Sequence, residues 1–479
     1  MSKINKIPSE IRNLFSEKRR DSAMEHFTKT LEGLRLHSKD LGGNKRENCQ
    51  LTNLQVFQII VLFPFMAIKG LSHYVGSALC NMFGGRKDML YSFMAQDNVD
   101  WRNIIYRVTG PLIKKTAVRK DSRQSRLPSV LIADDSDLPK TGMRMEKIGK
   151  IFSHVHQKCI LGYKTLVLCW SDGKSQHVLD ASLHGEKGKV EGKEQGLTAK
   201  QRASRYSRDR KEDSETSRRL SEYFMGKGEK LLEMVRRAIK SGIKFEYLLV
   251  DSWFTNTALV EFVSRCHRKF HLLGMARMGK TKYVTANWGE MNAKAIIGKL
   301  ARIKAVKYSR RYRCHYAYIT VTLGKRDVKL FFCRMGKRDN WKVLLTTDLS
   351  LDFMRAYEIY AMRWAIEVFF SDSKRLLGLA DCSARDFSSQ IAHLSLVIIR
   401  YNLLASIKRI LDYETIGALF SDVYEGVHEL TVIDKIWEII LEVVAVVAEM
   451  MDMDDEIVME QILQKSERLE AFRLLANSA

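Results

Sequence analysis

The stretch Ile359–Leu379, IYAMRWAIEVFFSDSKRLLGL, decides how the rest of the chain is read. It lacks proline, has no glycine before Gly378 and is built of helix-compatible residues, so it predicts a helix. At about 100° per residue, Tyr360, Arg363, Glu367 and Lys374 fall on one stripe roughly 60° wide. Ile359, Met362, Ile366, Phe369, Leu376 and Leu377 gather on another face, the side a core would cover. Three of the four stripe groups donate hydrogen bonds and two are cations, which suits phosphate oxygens. The acid between them suits a metal ion. Spacing alone also allows a plain i, i+4 ion pair of Arg363 with Glu367 on a solvated face.

Upstream, two apolar runs end in acids: SVLIAD, closing at Asp134, and FEYLLVD, closing at Asp251. In an α/β sheet, ligands collect at the carboxyl ends of the strands. A lone Asp in such a place is equally a turn or helix cap. Two of them together with Glu367 form the oxygen set that hard Mg²⁺ or Mn²⁺ ions require, and held together without a cation they would repel. Asp134 and its neighbour Asp135 are both candidates for the first acid.

The pattern Tyr-x2-Arg-x3-Glu-x6-Lys, with Trp364 after the Arg, resembles the signature of DDE transposases of the insertion sequence 4 family. The resemblance covers roughly Ser129 to Tyr401 and implies an RNase H-like core with a β-rich insertion just before the Glu helix. Of the two first acids it favours Asp134, since DDSDL fits the family's Asp-x-[Ser/Thr]-x-[Leu/Phe] box. Asp251 followed by Ser-Trp-Phe resembles the second box, with Trp253–Phe254 departing from the usual Gly-Tyr or Gly-Phe. Asp134, Asp251 and Glu367 are then the implied catalytic and metal-binding residues, holding two Mg²⁺ or Mn²⁺ ions. One ion would activate the attacking oxygen and the other would stabilise the leaving 3′ oxygen. Tyr360, Arg363 and Lys374 would hold the terminal phosphate and flanking DNA. Trp341 lies where the family stacks a flipped base, although a Trp buried in a strand is the alternative there. Implied partners are double-stranded DNA (the element's terminal repeats and a target), with a homodimer in the DNA complex. Cut-and-paste transposition is the implied activity; a catalytically inactive DNA-binding regulator and a metal-dependent endonuclease are the alternatives.

Charge agrees with a polyanionic partner. The 479 residues carry a net +23, unevenly spread. From Leu411 onward 16 acidic residues face 4 basic ones, net −12, so the preceding 410 residues carry +35. Hydrophobic residues make up 46% and prolines number five, as in folded globular chains. The eight cysteines are scattered without a CxxC pair, which argues against zinc and for reduced thiols. The N-terminus carries no apolar signal core, and the run Val56–Ile68 is too short for a bilayer, so the expected location is cytoplasmic and bacterial, at the nucleoid when DNA-bound.

The expected organisation is a helical N-terminal DNA-binding region (1–118), a basic linker (Val118–Pro128), and the first part of the core (129–276). A β-rich insertion (277–350), the Glu helix with closing helices (351–410) and an acidic helical region (411–479) follow. Within this frame His184–Arg219 reads as a long exposed loop, and YAYITVTL with VKLFFCR as a hairpin about Gly324. His154 and His156 read as surface residues on a strand edge.

Overall fold

Val130–Ala133 and Tyr247–Val250 are continuous apolar runs, and such runs form strands covered on both faces. Here they pair in parallel at the centre of a mixed sheet, with Ala133 opposite Val250. A computed structural model describes residues 23–43, 50–66, 68, 70–117, 127–188, 193–336, 338–450, 453 and 455–466. Most of the expected linker at 118–128 lies outside these residues, as do Arg19, Arg20, Lys45, Arg46 and Cys49.

In chain order the elements begin with helices α1 (Ala23–Glu32), α2 (Asn53–Leu62), α3 (Ala78–Phe83), α4 (Lys87–Met94) and α5 (Trp101–Thr116). Strands β1 (Val130–Pro139), β2 (Gly149–Ser153), β3 (Lys158–Ser171) and β4 (Gln176–His184) follow. Next come α6 (Ala199–Ala203), α7 (Glu215–Ser221), α8 (Lys227–Lys240), β5 (Tyr247–Val250), α9 (Thr257–Arg265) and β6 (His271–Ala276). Then follow β7 (Lys282–Thr285), β8 (Gly289–Asn292), α10 (Ala293–Arg302), β9 (Lys307–Ser309), β10 (Cys314–Leu323), β11 (Arg326–Arg334) and β12 (Lys342–Thr346). Helices α11 (Phe353–Ala361), α12 (Trp364–Leu376), α13 (Phe387–Ile410), α14 (Ile416–Met450) and α15 (Asp455–Lys465) close the chain.

The core of the sheet runs β4-β3-β1-β5-β6. Its first three strands are antiparallel, and β1, β5 and β6 are mutually parallel. That order and polarity are those of an RNase H-like fold, reached by crossovers through α6–α8 and α9. Leu131, Ile132, Leu248, Leu249, Leu272 and Leu273 are completely buried. Leu231, Met234, Val235 and Ala238 form the buried stripe of α8. Gly274 in β6 is dictated by space: a Cβ there would stand 2.3 Å from Thr255 Oγ1 and 2.9 Å from Val250 Cγ2.

The insertion does not stand apart from this sheet. β12 pairs with β6, and β11, β10, β7 and β8 continue outward, giving twelve strands in all with β9 on β10. The expected hairpin is present, turning at Gly324 with φ +63°. The insertion also contains α10, capped by Asn292 and burying Ala293, Ile296, Ile297 and Leu300.

The chain forms two compact units from non-contiguous pieces, one of 1–108, 206–217 and 372–479, the other of 109–205 and 218–371. Residues 351–371 thus fall in the unit of the sheet, whereas helix α13 falls with the N-terminal helices. By length and composition α13 could cross a membrane, but 94% of its apolar window is buried. Its buried Arg400 donates to the carbonyls of Ile60 and Val61, satisfying the end of α2. The segment expected to be an exposed loop, 184–219, includes α6 and the start of α7. Its Arg208 and Arg210 grip Asp97 at 2.9 and 2.8 Å, with Ser388 on the same carboxylate at 2.6 Å. Ion pairing thus fixes a stretch too polar to have shown a core-facing pattern. His154 and His156 are exposed, as expected, but sit in the turn after β2 rather than on a strand.

Candidate active site

The site grows from the end of the parallel pairing. β5 stops at Val250, whereas β1 continues to Pro139 with only β3 beside it. Asp134 and Asp251 are the residues immediately after the last parallel pair, so the sheet opens between them. Asp251 Oδ1 accepts the N–H groups of Trp253 at 2.9 Å and Phe254 at 3.3 Å, shaping the turn that carries it. Side chains alternate along a strand, and the two neighbouring acids consequently diverge. Asp134 meets Arg363, whereas Asp135 is held by Lys227 at 2.8 Å. Lys164, almost fully buried, joins Asp137 at 2.7 Å and approaches Asp135 and Glu186.

The stretch read as one helix is two. Between α11 and α12 the N–H groups of Met362, Arg363, Ala365 and Ile366 each bond the carbonyl three residues back. In this tighter winding residues three apart eclipse, which aligns Tyr360 with Arg363. The Tyr360 hydroxyl donates to the Val250 carbonyl at 3.3 Å, docking the turn on the end of β5. Arg363 Nη1 donates to Asp134 Oδ2 at 2.7 Å, and its Nη2 bonds Glu367 Oε1. The i, i+4 pair of the sequence is therefore real, but it belongs to a bridge reaching β1. Burial pushes the Tyr360 phenol up to about 12, against the pull of Arg363.

Lys374 is exposed on α12, seven residues beyond Glu367. Trp341 is half-buried just before β12, with the Arg334 guanidinium 4.7 Å from its ring centroid. Since β12 runs antiparallel to β6, Trp341 lies at the same edge as the acids. Two strand spacings, roughly 10 Å, separate it from β5. An exposed aromatic beside Asp251 is Trp253, 45% exposed, its backbone N–H on Asp251 Oδ1 and Lys227 4.5 Å from its ring centroid. Its signal in the sequence was its position two residues after Asp251, where the family pattern was departed from.

Three carboxylates offer the hard oxygen donors that a divalent ion takes. Among the described residues, however, no three acidic, His or Cys side chains stand close enough to share an ion. The guanidinium of Arg363 holds the place between two of the acids. The donor types are those a divalent ion takes, but as placed here two of the three acids are bridged by Arg363 rather than gathered around a common point.

Burial lifts the Asp134 carboxyl from 3.8 to about 6; Arg363 opposes that rise and Asp251 adds to it. A folded-state value above the unfolded one means that the native protein binds this proton more tightly. The resulting stability is full below about pH 4, declines up to about pH 6, and is absent above it. Asp134→Asn stays neutral and escapes this loss. Metal-free Asp134→Asn should therefore gain on wild type by up to about 3 kcal/mol between pH 4 and 6. Urea unfolding across that range tests this, and pH-independent spacing between the two curves would refute it.

Residues 75–273 match the family model of a DDE superfamily endonuclease, a span that contains Asp134 and Asp251. Residues 226–403 match the model of a transposase DDE domain, a span that contains Asp251 and Glu367. Together these matches support a DDE transposase. Among solved structures the chain is similar to the piggyBac transposase in its synaptic complex with hairpin DNA. Identity is 11% and the TM-score 0.39, over 89% of this chain and 81% of that one. No curated protein matches the chain.

Proposed function

We propose that the chain is a transposase of the insertion sequence 4 type, cutting at the ends of its element and joining the 3′-hydroxyl to target DNA. The observation that carries this reading is the convergence of Asp134, Asp251, Tyr360, Arg363 and Glu367 at the edge where β1 and β5 part. In this reading Asp134, Asp251 and Glu367 hold two Mg²⁺ or Mn²⁺ ions. Such ions supply Lewis-acid activation of the attacking oxygen and charge stabilisation of the leaving 3′ oxygen.

The protein's own groups position the DNA. Tyr360 keeps its proton and spends its one O–H on the Val250 carbonyl, so it is no base; it positions the turn that carries Arg363 and donates to phosphate only by leaving that carbonyl. Arg363 grips the terminal phosphate bidentately, and Lys374 adds a charge along the flanking backbone. Trp341 stacks a base displaced from the duplex. The basic helices before β1 bind the terminal repeats, and two copies act together on paired ends. A cytoplasmic, nucleoid-associated protein is the matching location. Incubating the protein with the terminal repeats of its own element and Mg²⁺, then sequencing the products, tests the whole reading. Uncut ends under all divalent ions would refute it.

Arg363→Lys isolates the bidentate grip. A lysine keeps the charge but cannot span the positions reached by Nη1 and Nη2. Joining of pre-cut ends should fall roughly tenfold or more, the scale of one lost charge-assisted hydrogen bond, while end recognition changes little. Unimpaired joining by this variant in a strand-transfer assay would remove the phosphate role from Arg363.

A further inference from the structure

Resting on the reading of Asp134, Asp251 and Glu367 as metal ligands, we infer that Arg363 is a built-in counter-cation for the empty site. It holds the acids while no metal is bound and yields its place as divalent ions enter. Its guanidinium is thereby freed for the DNA end.

Three observations lead there. Arg363 uses separate nitrogens for its two acids, which come from β1 and α12. Among the described residues no other cationic side chain pairs with either Asp134 or Glu367. Arg363 also sits in the tightened turn between α11 and α12, where the backbone bonds run to the third residue back. Such a turn can rewind to α geometry and carry its side chain with it.

Charge balance sets the direction of the exchange. One guanidinium against three carboxylates leaves an excess of negative charge, which attracts divalent ions. Two divalent ions overcompensate the same three carboxylates, so the guanidinium is no longer held there. The nearest anion on offer is then a DNA phosphate. Loading the metals and arming the phosphate grip thus become one event, which keeps a metal-free site from clamping DNA that it cannot cut.

The test uses the full chain without DNA and Mn²⁺ as the probe, read by electron paramagnetic resonance of the free ion. Arg363→Gln removes the competing charge and retains hydrogen-bonding atoms. Its Mn²⁺ affinity should exceed that of wild type by roughly tenfold to a hundredfold, the range of charge-assisted bonds no longer displaced. Arg363→Lys, which can contact only one acid, should lie between. Mn²⁺ should also raise the melting temperature of Arg363→Gln more than that of wild type, since its metal-free acids are unbalanced; this guards against a variant that merely folds poorly. Equal or weaker Mn²⁺ binding by Arg363→Gln, in a variant that Glu367→Gln renders unable to bind, would overturn the counter-cation role but keep the metal site. Failure of every form, wild type included, to bind Mn²⁺ would overturn the metal-ligand reading and this role with it.

Discussion

Asp134→Ala, Asp251→Ala and Glu367→Ala should each reduce strand cleavage by about 10³-fold or more, while DNA-end binding stays within a few-fold of wild type. The size follows from the several kcal/mol that a correctly held metal gives to the transition state, at about 1.4 kcal/mol per tenfold. Binding should be spared, since DNA affinity generally rests on many dispersed Lys and Arg contacts with phosphates rather than on a few acids. The geometry adds a contrast. Asp135 faces Lys227 and Lys164, away from Arg363, so Asp135→Ala should lose an ion pair yet keep cleavage. Gel assays of nicking and of end binding, run on the same four variants, separate these outcomes. A Glu367→Ala enzyme cutting at the wild-type rate would sink the assignment. A dead Asp135→Ala beside an active Asp134→Ala would exchange the roles of the two acids.

Affinity for DNA should fall about 10³–10⁵-fold between 50 and 200 mM salt, if some 6–10 phosphates are contacted. The motive is the +35 carried by the residues before Leu411, set against −12 in the remainder. Each neutralised phosphate releases condensed counterions, so the slope of log affinity against log salt counts the contacts. A flat response, measured by fluorescence anisotropy on end DNA and on unrelated DNA, would show that the charge excess is not spent on nucleic acid.

How far the sequence could be read depended on the range of the forces involved. Val130–Ala133 and Tyr247–Val250 were legible because runs buried on both faces leave no polar alternation. Asp251 was legible because the acid ends such a run. The extension of β1 through Asp134–Pro139 was not, since DDSD has poor strand propensity and is sustained only by pairing with β3. The break at Met362–Arg363 leaves no mark in propensity either, as every residue there tolerates a helix. Helix α10 is a different case. Its Asn292 cap and its apolar positions Ile296, Ile297 and Leu300 were in plain view, and the surrounding strands drew the reading toward β. The gathering of 206–217 and 372–466 with the N-terminal helices depends on contacts such as Arg210 with Asp97, far apart in sequence and invisible to local pattern.

The unbroken sheet gives the insertion a mechanical character. Four residue pairs join β12 to β6 and five join β11 to β12, each a backbone ladder without a flexible tether. Load applied to β11 or β12 would therefore be carried in shear across these ladders to β6 and on to β5, the strand that Asp251 follows. Such a plate deflects by twisting as a whole, not by swinging like a door. The stiffness that holds the acids also ties their alignment to any strain imposed at the far edge.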